Sequence, residues 1–336
     1  MNASSGVTQV DENTVFRIGS APKLWTVYTL LASAREVSLH DPVTKWVPEL
    51  HASTATGADD AVNFVRWKDS QLCAKTIPRP VARQRLVLEL NSNGINPLAP
   101  TSYTPIYPNA AIQILFYALE AITNKTYDAL LEEYLFEPLG LNEGYYSVPA
   151  DNVGIIPGNA STSLWGGLSA EDETPAGGLY ASITPLLSPE TTRRWLKSMT
   201  HTAFLPYSVG VSWEIFSFEN SDGRIVYVYS KSGDLGAYSS MTALLPDYHV
   251  GITFLAAGEG TTALVATLTD IVASSLIPAL ELAARKIADK VYMGTYSAQD
   301  NTTKTIPSLV ITIDDGAGLK LEQWSKIRWI CVKWTR

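Results

Sequence analysis

Residues 16–31 read Phe16-Arg17-Ile18-Gly19-Ser20-Ala21-Pro22-Lys23-Leu24-Trp25-Thr26-Val27-Tyr28-Thr29-Leu30-Leu31. The pattern predicts a short strand, a tight Gly-Ser turn and then an apolar helix. Because positions i and i+3 lie on one face of a helix, Ser20 and Lys23 can come within hydrogen-bond reach. A serine hydroxyl beside an amine that can accept its proton is the first element of a covalent acyl-transfer site. The alternative is a chance match, since Ser-x-x-Lys occurs in many proteins.

The position of Pro22 locates the start of this helix. Proline breaks a helix interior but is tolerated in the first turn, where its missing N–H is not needed. We therefore expect the helix to begin near Ser20 and to run to about Ala34. Backbone N–H groups at such a start point toward an anion bound there.

The composition is that of a globular protein. The chain has 336 residues, of which 46% are hydrophobic and 17% are charged, and its net charge is −8. This size suits one large domain or two unequal ones. No run of Lys or Arg forms a basic patch, so we expect no nucleic-acid partner.

The cysteines and histidines suggest neither a disulfide framework nor a metal site. Cys73 and Cys331 lie far apart in the sequence and belong to no Cys-x-x-Cys or Cys/His pattern. The histidines have no metal-ligand or catalytic-triad spacing and are expected to be structural or at the surface: His40, His51, His201 and His249. We expect no metal and no cofactor.

Localisation is left open by the sequence. No stretch approaches about 18 uninterrupted apolar residues, so we expect no membrane span. The first six residues are polar and lack the apolar core of a signal peptide, which favours a cytoplasmic location for the chain as written. Four glycosylation sequons would instead fit a secreted protein; they begin at Asn2, Asn124, Asn159 and Asn301.

Helices are expected in the middle of the chain. The apolar period predicts helices over 109–124 and 126–136, with Thr126 as the N-cap of the second. Another helix is predicted over 189–200, and residues 142–180 are expected to be loops. Residues 51–106 show little periodicity, which is unusual for a compact domain.

An antiparallel meander and a long helix are predicted after residue 207. The strands are rich in β-branched and aromatic residues and are expected at Tyr207–Phe216, Arg224–Ser230, Ala237–Leu245 and His249–Ala256. The helix is expected over Thr262–Ala288, with a kink at Pro278. Its predicted buried face consists of Leu264, Leu268, Ile271, Val272 and Leu276. Two further strands are expected around Leu309–Ile313 and Leu319–Glu322.

Two more short motifs follow Ser20-Ala21-Pro22-Lys23 along the chain. They are Tyr107-Pro108-Asn109 and Lys231-Ser232-Gly233, the latter expected just after a strand. In this order the three motifs resemble those of the serine β-lactamases and penicillin-binding proteins. The Tyr-x-Asn form resembles the class C branch, and the surrounding residues look like fungal β-lactamase-related proteins. The resemblance covers about residues 14–50 and 103–325.

The resemblance implies an α+β fold, with an antiparallel sheet flanked by helices and a mostly helical subdomain. On this basis residues 1–13 would be a disordered tail and residues 14–288 the catalytic domain. The helical subdomain would cover about 40–200 and the sheet region about 205–288, leaving 289–336 as a truncated C-terminal β-domain.

The chain departs from the family at its N-terminus. Family members usually carry a helix and two strands before the serine, whereas 19 residues precede Ser20. In the family those strands pair with the strand that corresponds to His249–Ala256. We therefore expect a truncated member that lacks the N-terminal strands and leaves this apolar sheet edge open.

The resemblance also implies residue roles. Ser20 would attack an acyl carbonyl, and Lys23 and Tyr107 would share the proton transfers, with Lys231 as a nearby cation that favours an uncharged Lys23. Asn109 would hold the lysine or a substrate amide, and the motif Lys231-Ser232-Gly233 would bind substrate. The oxyanion would lie between the backbone N–H groups of Ser20 and Asp234.

Plainer interpretations of the motifs remain. Tyr107-Pro108-Asn109 could be only a helix start, and Lys231-Ser232-Gly233 only a hairpin turn. The segment Gly258-Glu259-Gly260 before a helix resembles a dinucleotide-binding turn, but the preceding strands look antiparallel, so a plain strand-to-helix turn explains it better.

Three functional hypotheses follow. The first is a serine hydrolase that forms an acyl-enzyme with a small ester, amide or lactam. The second is an acyltransferase of secondary metabolism on the same site, and the third is a catalytically inactive relic. The expected partner is a small-molecule acyl substrate, with the oligomeric state left open. Asp234 near Lys231 would offset positive charge and so favours a neutral substrate, whereas Trp25, Trp46 and Trp165 are expected in the core.

Overall fold

The fold is taken from a computed structural model of the chain. It describes residues 5–34, 41–48, 107, 109–141, 144–166, 174–182, 195–221, 223–297, 308–314, 316 and 318–325. The stretch 51–106, Pro108, both cysteines and two of the histidines, His40 and His51, lie outside these residues. So do most of the helix predicted over 189–200 and the sequons at Asn2 and Asn301.

The strand–turn–helix prediction for residues 16–31 is confirmed. Strand β1 is Phe16–Arg17, and helix α1 is Pro22–Ser33, with Pro22 in its first turn and Ala34 at its C-cap. Every residue of α1 from Pro22 to Leu30 is buried, including Trp25. The helix is therefore a central core element.

Helix α2, Asn109–Thr123, and helix α3, Tyr127–Leu131, confirm the next two predictions. A π-helical segment, Glu132–Phe136, and one more turn, Glu137–Leu139, continue α3. Thr126 lies at the N-cap of α3, but its side chain makes no capping hydrogen bond. Gly140 ends the segment in the left-handed conformation, with φ 65°, which glycine adopts without strain.

A six-stranded antiparallel sheet follows, in the order β4-β5-β6-β7-β8-β9. Its strands are β4 Thr200–His201, β5 Tyr207–Val209, β6 Glu214–Glu219, β7 Ile225–Leu235, β8 Tyr238–Leu245 and β9 Val250–Ala257. The antiparallel meander is confirmed. Strand β9 is the last strand of this sheet within the described part of the chain. The predicted lack of N-terminal strands stays a prediction.

Two of the strand predictions need correction. Tyr207–Phe216 is two strands, because the chain turns between them, where Ser212 has a φ of 63° and the Gly210 N–H donates to the Trp213 carbonyl at 2.9 Å. Strand β7 continues to Leu235, so Lys231, Ser232 and Gly233 lie within a strand and form no hairpin turn. Pairing with β8 explains the extension, since Lys231 is opposite Thr242 and Gly233 is opposite Ser240.

A small sheet lies at the start of α1. Its strand order is β1-β3-β2, where β2 is Gly144–Tyr145 and β3 is Tyr180–Ala181. Phe16 pairs with Ala181 and Arg17 with Tyr180. Part of the tail that was predicted to be disordered packs on the rest of the chain. The Val7 N–H donates to the Gly154 carbonyl at 2.8 Å.

The long helix α4, Thr261–Tyr292, contains Pro278 and confirms the predicted element. Its predicted buried face is wrong in part. Leu264, Leu268 and Ile271 are exposed by 51%, 36% and 56%, whereas Val265 and Ile277 are buried. The helix has apolar residues on more than one side, so the 3.6-residue period fits several faces.

Helix α4 is also long and apolar enough to cross a membrane by length and composition. The sequence criterion missed this because polar residues interrupt every apolar run in α4. The finding is weak evidence for a membrane span, since core helices of water-soluble proteins pass the same test.

The C-terminal residues form a three-stranded sheet in the order β10-β11-β12. The strands are β10 Gly294–Ser297, β11 Ser308–Thr312 and β12 Lys320–Ser325. The two predicted strands are confirmed, and β10 is additional.

The chain divides into two compact units. The first contains residues 1–217 and 227–269, and the second contains 218–226 and 270–336. The predicted domain boundaries stay a prediction. Within the first unit, a large apolar core surrounds α1, α2 and α3, and a smaller cluster contains Trp165. Trp25 and Trp165 are buried as predicted, and Trp46 is partly buried.

Candidate active site

Ser20 and Lys23 are in direct contact at the start of α1. The Lys23 Nζ lies 2.9 Å from the Ser20 Oγ, which is hydrogen-bond distance. Lys23 is only 2% exposed. The one-turn spacing in the sequence therefore brings a hydroxyl and an amine together in a site largely shielded from water.

A backbone carbonyl holds the same amine. The Lys23 ammonium donates to the carbonyl oxygen of Ala176, in the buried turn Thr174–Gly178. The Thr26 hydroxyl anchors this turn to α1 through the Pro175 carbonyl, at 3.1 Å. Sequence reasoning treated this segment as an ordinary loop, because a carbonyl ligand leaves no signature in side-chain identity.

A tyrosine holds the far side of Thr26. The Tyr127 hydroxyl lies 2.7 Å from the Thr26 Oγ1. Burial holds the pKa of Tyr127 above its usual value, so this hydroxyl stays protonated and is a structural group of the α1–α3 contact. It orients Thr26, and through it the turn that binds Lys23.

The ring of Tyr107 lies near two lysines. The Lys23 Nζ and the Lys231 Nζ are each 5.0 Å from the ring centre, within cation–π range. Tyr107 itself is 48% exposed, so its ring is open to a small molecule. The structure thus brings together four residues predicted from three separate motifs: Ser20, Lys23, Tyr107 and Lys231.

Lys231 is paired with a carboxylate that the sequence analysis missed. Its ammonium donates to Glu214 on β6, and to the Ser232 carbonyl at 2.7 Å. Glu214 also accepts from the Ser232 hydroxyl at 2.9 Å and from the Ser232 N–H at 2.9 Å. Glu214 was hidden in the sequence because its partners lie on the neighbouring strand and depend on the register of that pairing.

Two glycines allow β7 to approach the Ser20 turn. A Cβ on Gly233 would lie 2.2 Å from the Ile18 carbonyl oxygen and 2.7 Å from the Ser20 nitrogen. A Cβ on Gly19 would lie 2.4 Å from the Asp234 nitrogen. Backbone atoms cannot move aside, so both positions require glycine. The predicted oxyanion-binding amides, those of Ser20 and Asp234, therefore belong to two backbones in contact.

A buried serine fastens this contact. The Ser240 hydroxyl on β8 donates to the Ile18 carbonyl at 2.8 Å. It thereby links the end of β1, just before the Ser20 turn, to the sheet that contains Lys231. The relative positions of the first and third motifs are fixed by backbone packing and by this bond.

Asp234 and Asn109 are the remaining residues predicted to bind substrate. The Asp234 carboxylate accepts from the hydroxyls of Ser239 and Thr262, both at 2.6 Å, so it lies by the start of α4. Asn109 is the first residue of α2 and is exposed. Its predicted contact with Lys23 or with a substrate amide stays a prediction.

Behind the small sheet lies a buried arginine. Arg17 is 1% exposed, donates to the Leu164 carbonyl, and lies 4.9 Å from the centre of the Tyr180 ring. Burial lowers the pKa of Arg17, and it raises the pKa of Tyr238 to about 12. These contacts join β1 to Leu164 and to β3.

The arrangement suits acyl transfer. It has a hydroxyl nucleophile in contact with an amine, a second buried ammonium that is held by a carboxylate, and two backbone amides close to the nucleophile. Together these are the nucleophile, proton acceptor and electrostatic elements that formation of an acyl-enzyme requires.

Comparisons with known proteins point in the same direction. A family model described as Beta-lactamase matches residues 95–276. A Beta-lactamase-like protein of Arthroderma benhamiae is 28% identical over 96% of this chain and 62% of its own length. A probable hydrolase, M10, of a Phoma species is 23% identical over 96% of this chain and 61% of its own length. The chain thus spans about three fifths of the length of these two relatives.

The fold is also found among solved structures. A class C β-lactamase from Rhodobacter sphaeroides superposes with a TM-score of 0.57 at 20% identity, over 80% of this chain and 87% of that one. At this identity the likeness concerns the fold. It confirms the expected α+β architecture of an antiparallel sheet flanked by helices.

Proposed function

Because this chain belongs to the Beta-lactamase family, we propose that it is a serine hydrolase that acts on a small ester, amide or lactam through an acyl-enzyme on Ser20. Family membership supports hydrolase chemistry of the β-lactamase-like kind. The acyl-enzyme step and the residue roles below are our proposal. The contact of 2.9 Å between the Lys23 Nζ and the Ser20 Oγ carries it.

In the first step the Ser20 Oγ attacks the substrate carbonyl carbon while its proton passes to the uncharged amine of Lys23. Removal from water favours an uncharged amine, and Lys23 is 2% exposed. Lys231, the cation expected to act beside Lys23, is itself paired with Glu214.

The negative charge that develops on the carbonyl oxygen needs donors in fixed positions. The backbone N–H groups of Ser20 and Asp234 are the candidates. Their nitrogens lie where the turn at Gly19 packs against Gly233 of β7. Fixed donors of this kind contribute about 10²–10³ in rate. As the tetrahedral intermediate collapses, the leaving group takes the proton from Lys23, with Tyr107 as the neighbouring proton carrier.

Water then cleaves the acyl-enzyme. One of its protons passes to the uncharged amine of Lys23 while its oxygen attacks the acyl carbon. The Ser20 Oγ then leaves and takes this proton from Lys23, which lies 2.9 Å away. Each step uses groups of this chain and one water molecule. The proton returns to the hydroxyl, so the cycle closes.

The experiment is ester hydrolysis by the purified chain, with p-nitrophenyl butyrate as the substrate. We expect turnover that saturates with substrate and that falls by at least about 10³ in Ser20→Ala. Ser33→Ala is the matched control, because Ser33 ends the same helix and its hydroxyl donates to the Thr29 carbonyl of that helix at 2.6 Å. Equal activity of Ser20→Ala and the unchanged chain would refute the proposal.

A further inference from the structure

The third motif is occupied by a carboxylate of the chain itself. The Lys231 ammonium, the Ser232 hydroxyl and the Ser232 N–H all donate to Glu214. The Ser232 hydroxyl has one proton to donate, and it lies 2.9 Å and 3.2 Å from the two carboxylate oxygens of Glu214. The groups of this motif that could bind a substrate anion are therefore already engaged.

The charges at this end of the site are balanced without a ligand. The side chain of Lys231 is 2% exposed and that of Glu214 is 31% exposed, so the positive charge is buried and the negative charge faces the open side. Asp234 is exposed and adds a second carboxylate nearby on the same strand. The carboxylates of Glu214 and Asp234 are therefore both more exposed than the Lys231 ammonium, and both would repel a substrate carboxylate.

A substrate carboxylate would also have to replace Glu214 to gain donors. That exchange would leave the Glu214 carboxylate with fewer partners in a partly buried position, which is unfavourable for a charged group. An uncharged ester, amide or lactam avoids this cost, since it needs only the oxyanion donors and the nucleophile.

We propose that Glu214 determines the charge preference of the site and restricts it to acyl substrates that are uncharged next to Lys231 and Ser232. The inference rests on the proposed serine hydrolase function. Glu214 is a specificity residue in this account: it acts on the substrate by its charge and by its hold on Lys231 and Ser232, and takes no part in the proton transfers.

The test compares two esters with the same acyl chain and leaving group, one with a free carboxylate at the far end and one with that carboxylate methylated. Mono-p-nitrophenyl glutarate carries a carboxylate, and its methyl ester carries none, so the ratio of their kcat/KM values reports charge preference. We expect the unchanged chain to favour the neutral ester by at least about tenfold. Glu214→Gln keeps the shape and removes the charge, and should raise the anionic-to-neutral ratio by about tenfold or more.

A matched control lies on the same strand. Glu219 ends β6 and is exposed, so Glu219→Gln removes an equal charge away from the motif and should leave the ratio unchanged within about twofold. A loss of activity that affects both esters equally leaves the ratio of their kcat/KM values unchanged. A general effect of Glu214→Gln on Lys231 therefore cannot produce the expected change in this ratio.

The outcomes separate the two proposals. A preference of the unchanged chain for the anionic ester, or an unchanged ratio in Glu214→Gln, would overturn the role of Glu214 while leaving the hydrolase in place. If Glu214→Gln does not fold, the preference of the unchanged chain still decides. Hydrolysis of neither ester by the folded chain would overturn the proposed function itself.

Discussion

Lys23 and Lys231 are alike in burial and differ in their partners. They are 2% and 1% exposed, and each Nζ lies 5.0 Å from the centre of the Tyr107 ring. Lys23 contacts the Ser20 hydroxyl and a backbone carbonyl, whereas Lys231 donates to the carboxylate of Glu214. Lys231 is therefore held in an ion pair, whereas Lys23 is held against the Ser20 hydroxyl.

This difference assigns different tasks to two residues of one type. Lys23 contacts Ser20, the proposed nucleophile, and is its proposed base. Lys231 is fixed between strands and contributes charge and position. The predictions below test this division of roles, beginning with the substitution expected to remove the most activity.

Replacing each lysine by methionine should affect turnover unequally. Lys23→Met removes the proposed base and should lower kcat/KM for p-nitrophenyl butyrate by about 10³–10⁴. Lys231→Met removes a supporting charge and should lower it by about 10–100. Steady-state kinetics of the two variants measures both values, and equal losses would contradict separate roles for the two lysines.

Gly233→Ala should disrupt the packing of β7, which contains Lys231, against the turn that contains Ser20. The new Cβ would meet the Ile18 carbonyl at 2.2 Å, and such overpacking costs about 2 kcal/mol. We expect a lower Tm and at least about a tenfold loss of turnover. Gly166→Ala is the control, because among the described residues a Cβ there meets nothing within 4 Å. Equal Tm values for the two variants would contradict the close packing of Gly233 against Ile18 and Ser20.

The Lys231–Glu214 pair should behave as a coupled unit in stability. Glu214→Gln leaves a buried ammonium with a weaker acceptor and should lower the free energy of unfolding by about 2 kcal/mol. Combining it with Lys231→Met should restore part of that loss, since the unpaired charge is gone. Urea denaturation of the single and double variants gives the coupling, and strictly additive losses would show that the pair does not interact.

The smallest effect is expected for an exposed ion pair. Lys125 donates to Glu133, and these side chains are 42% and 45% exposed. Solvent screens such pairs, and many contribute nothing measurable. Glu133→Gln should therefore leave both Tm and turnover unchanged, as thermal scans and ester assays would show. A Tm loss as large as that of Glu214→Gln would mean that burial does not distinguish the two pairs.

The sequence predicts the first motif well because its geometry is local. Ser20 and Lys23 are one helical turn apart, and Pro22 marks the start of α1. The antiparallel meander is also predicted, since turn residues separate its β-branched runs, but the division into β5 and β6 and the extension of β7 to Leu235 are not. These features depend only on neighbours in the chain.

The rest depends on contacts between distant segments. Glu214 becomes part of the site only through the pairing of β6 with β7, and the Ala176 carbonyl only through the packing of its turn on α1. The buried residues of α4 are hard to predict for a related reason. Its apolar residues fit several faces of the helix, and contacts with other segments decide that Val265 and Ile277 are buried.

The central claim is that Ser20 is the nucleophile and Lys23 its base. The most direct test is to label the folded chain with a fluorophosphonate and to locate the adduct by peptide mass spectrometry. We expect one adduct, on Ser20, which is lost in Ser20→Ala and forms at least about a hundredfold more slowly in Lys23→Met than in Lys231→Met. A folded chain with unlabelled Ser20, or with the adduct on another residue, would contradict the account.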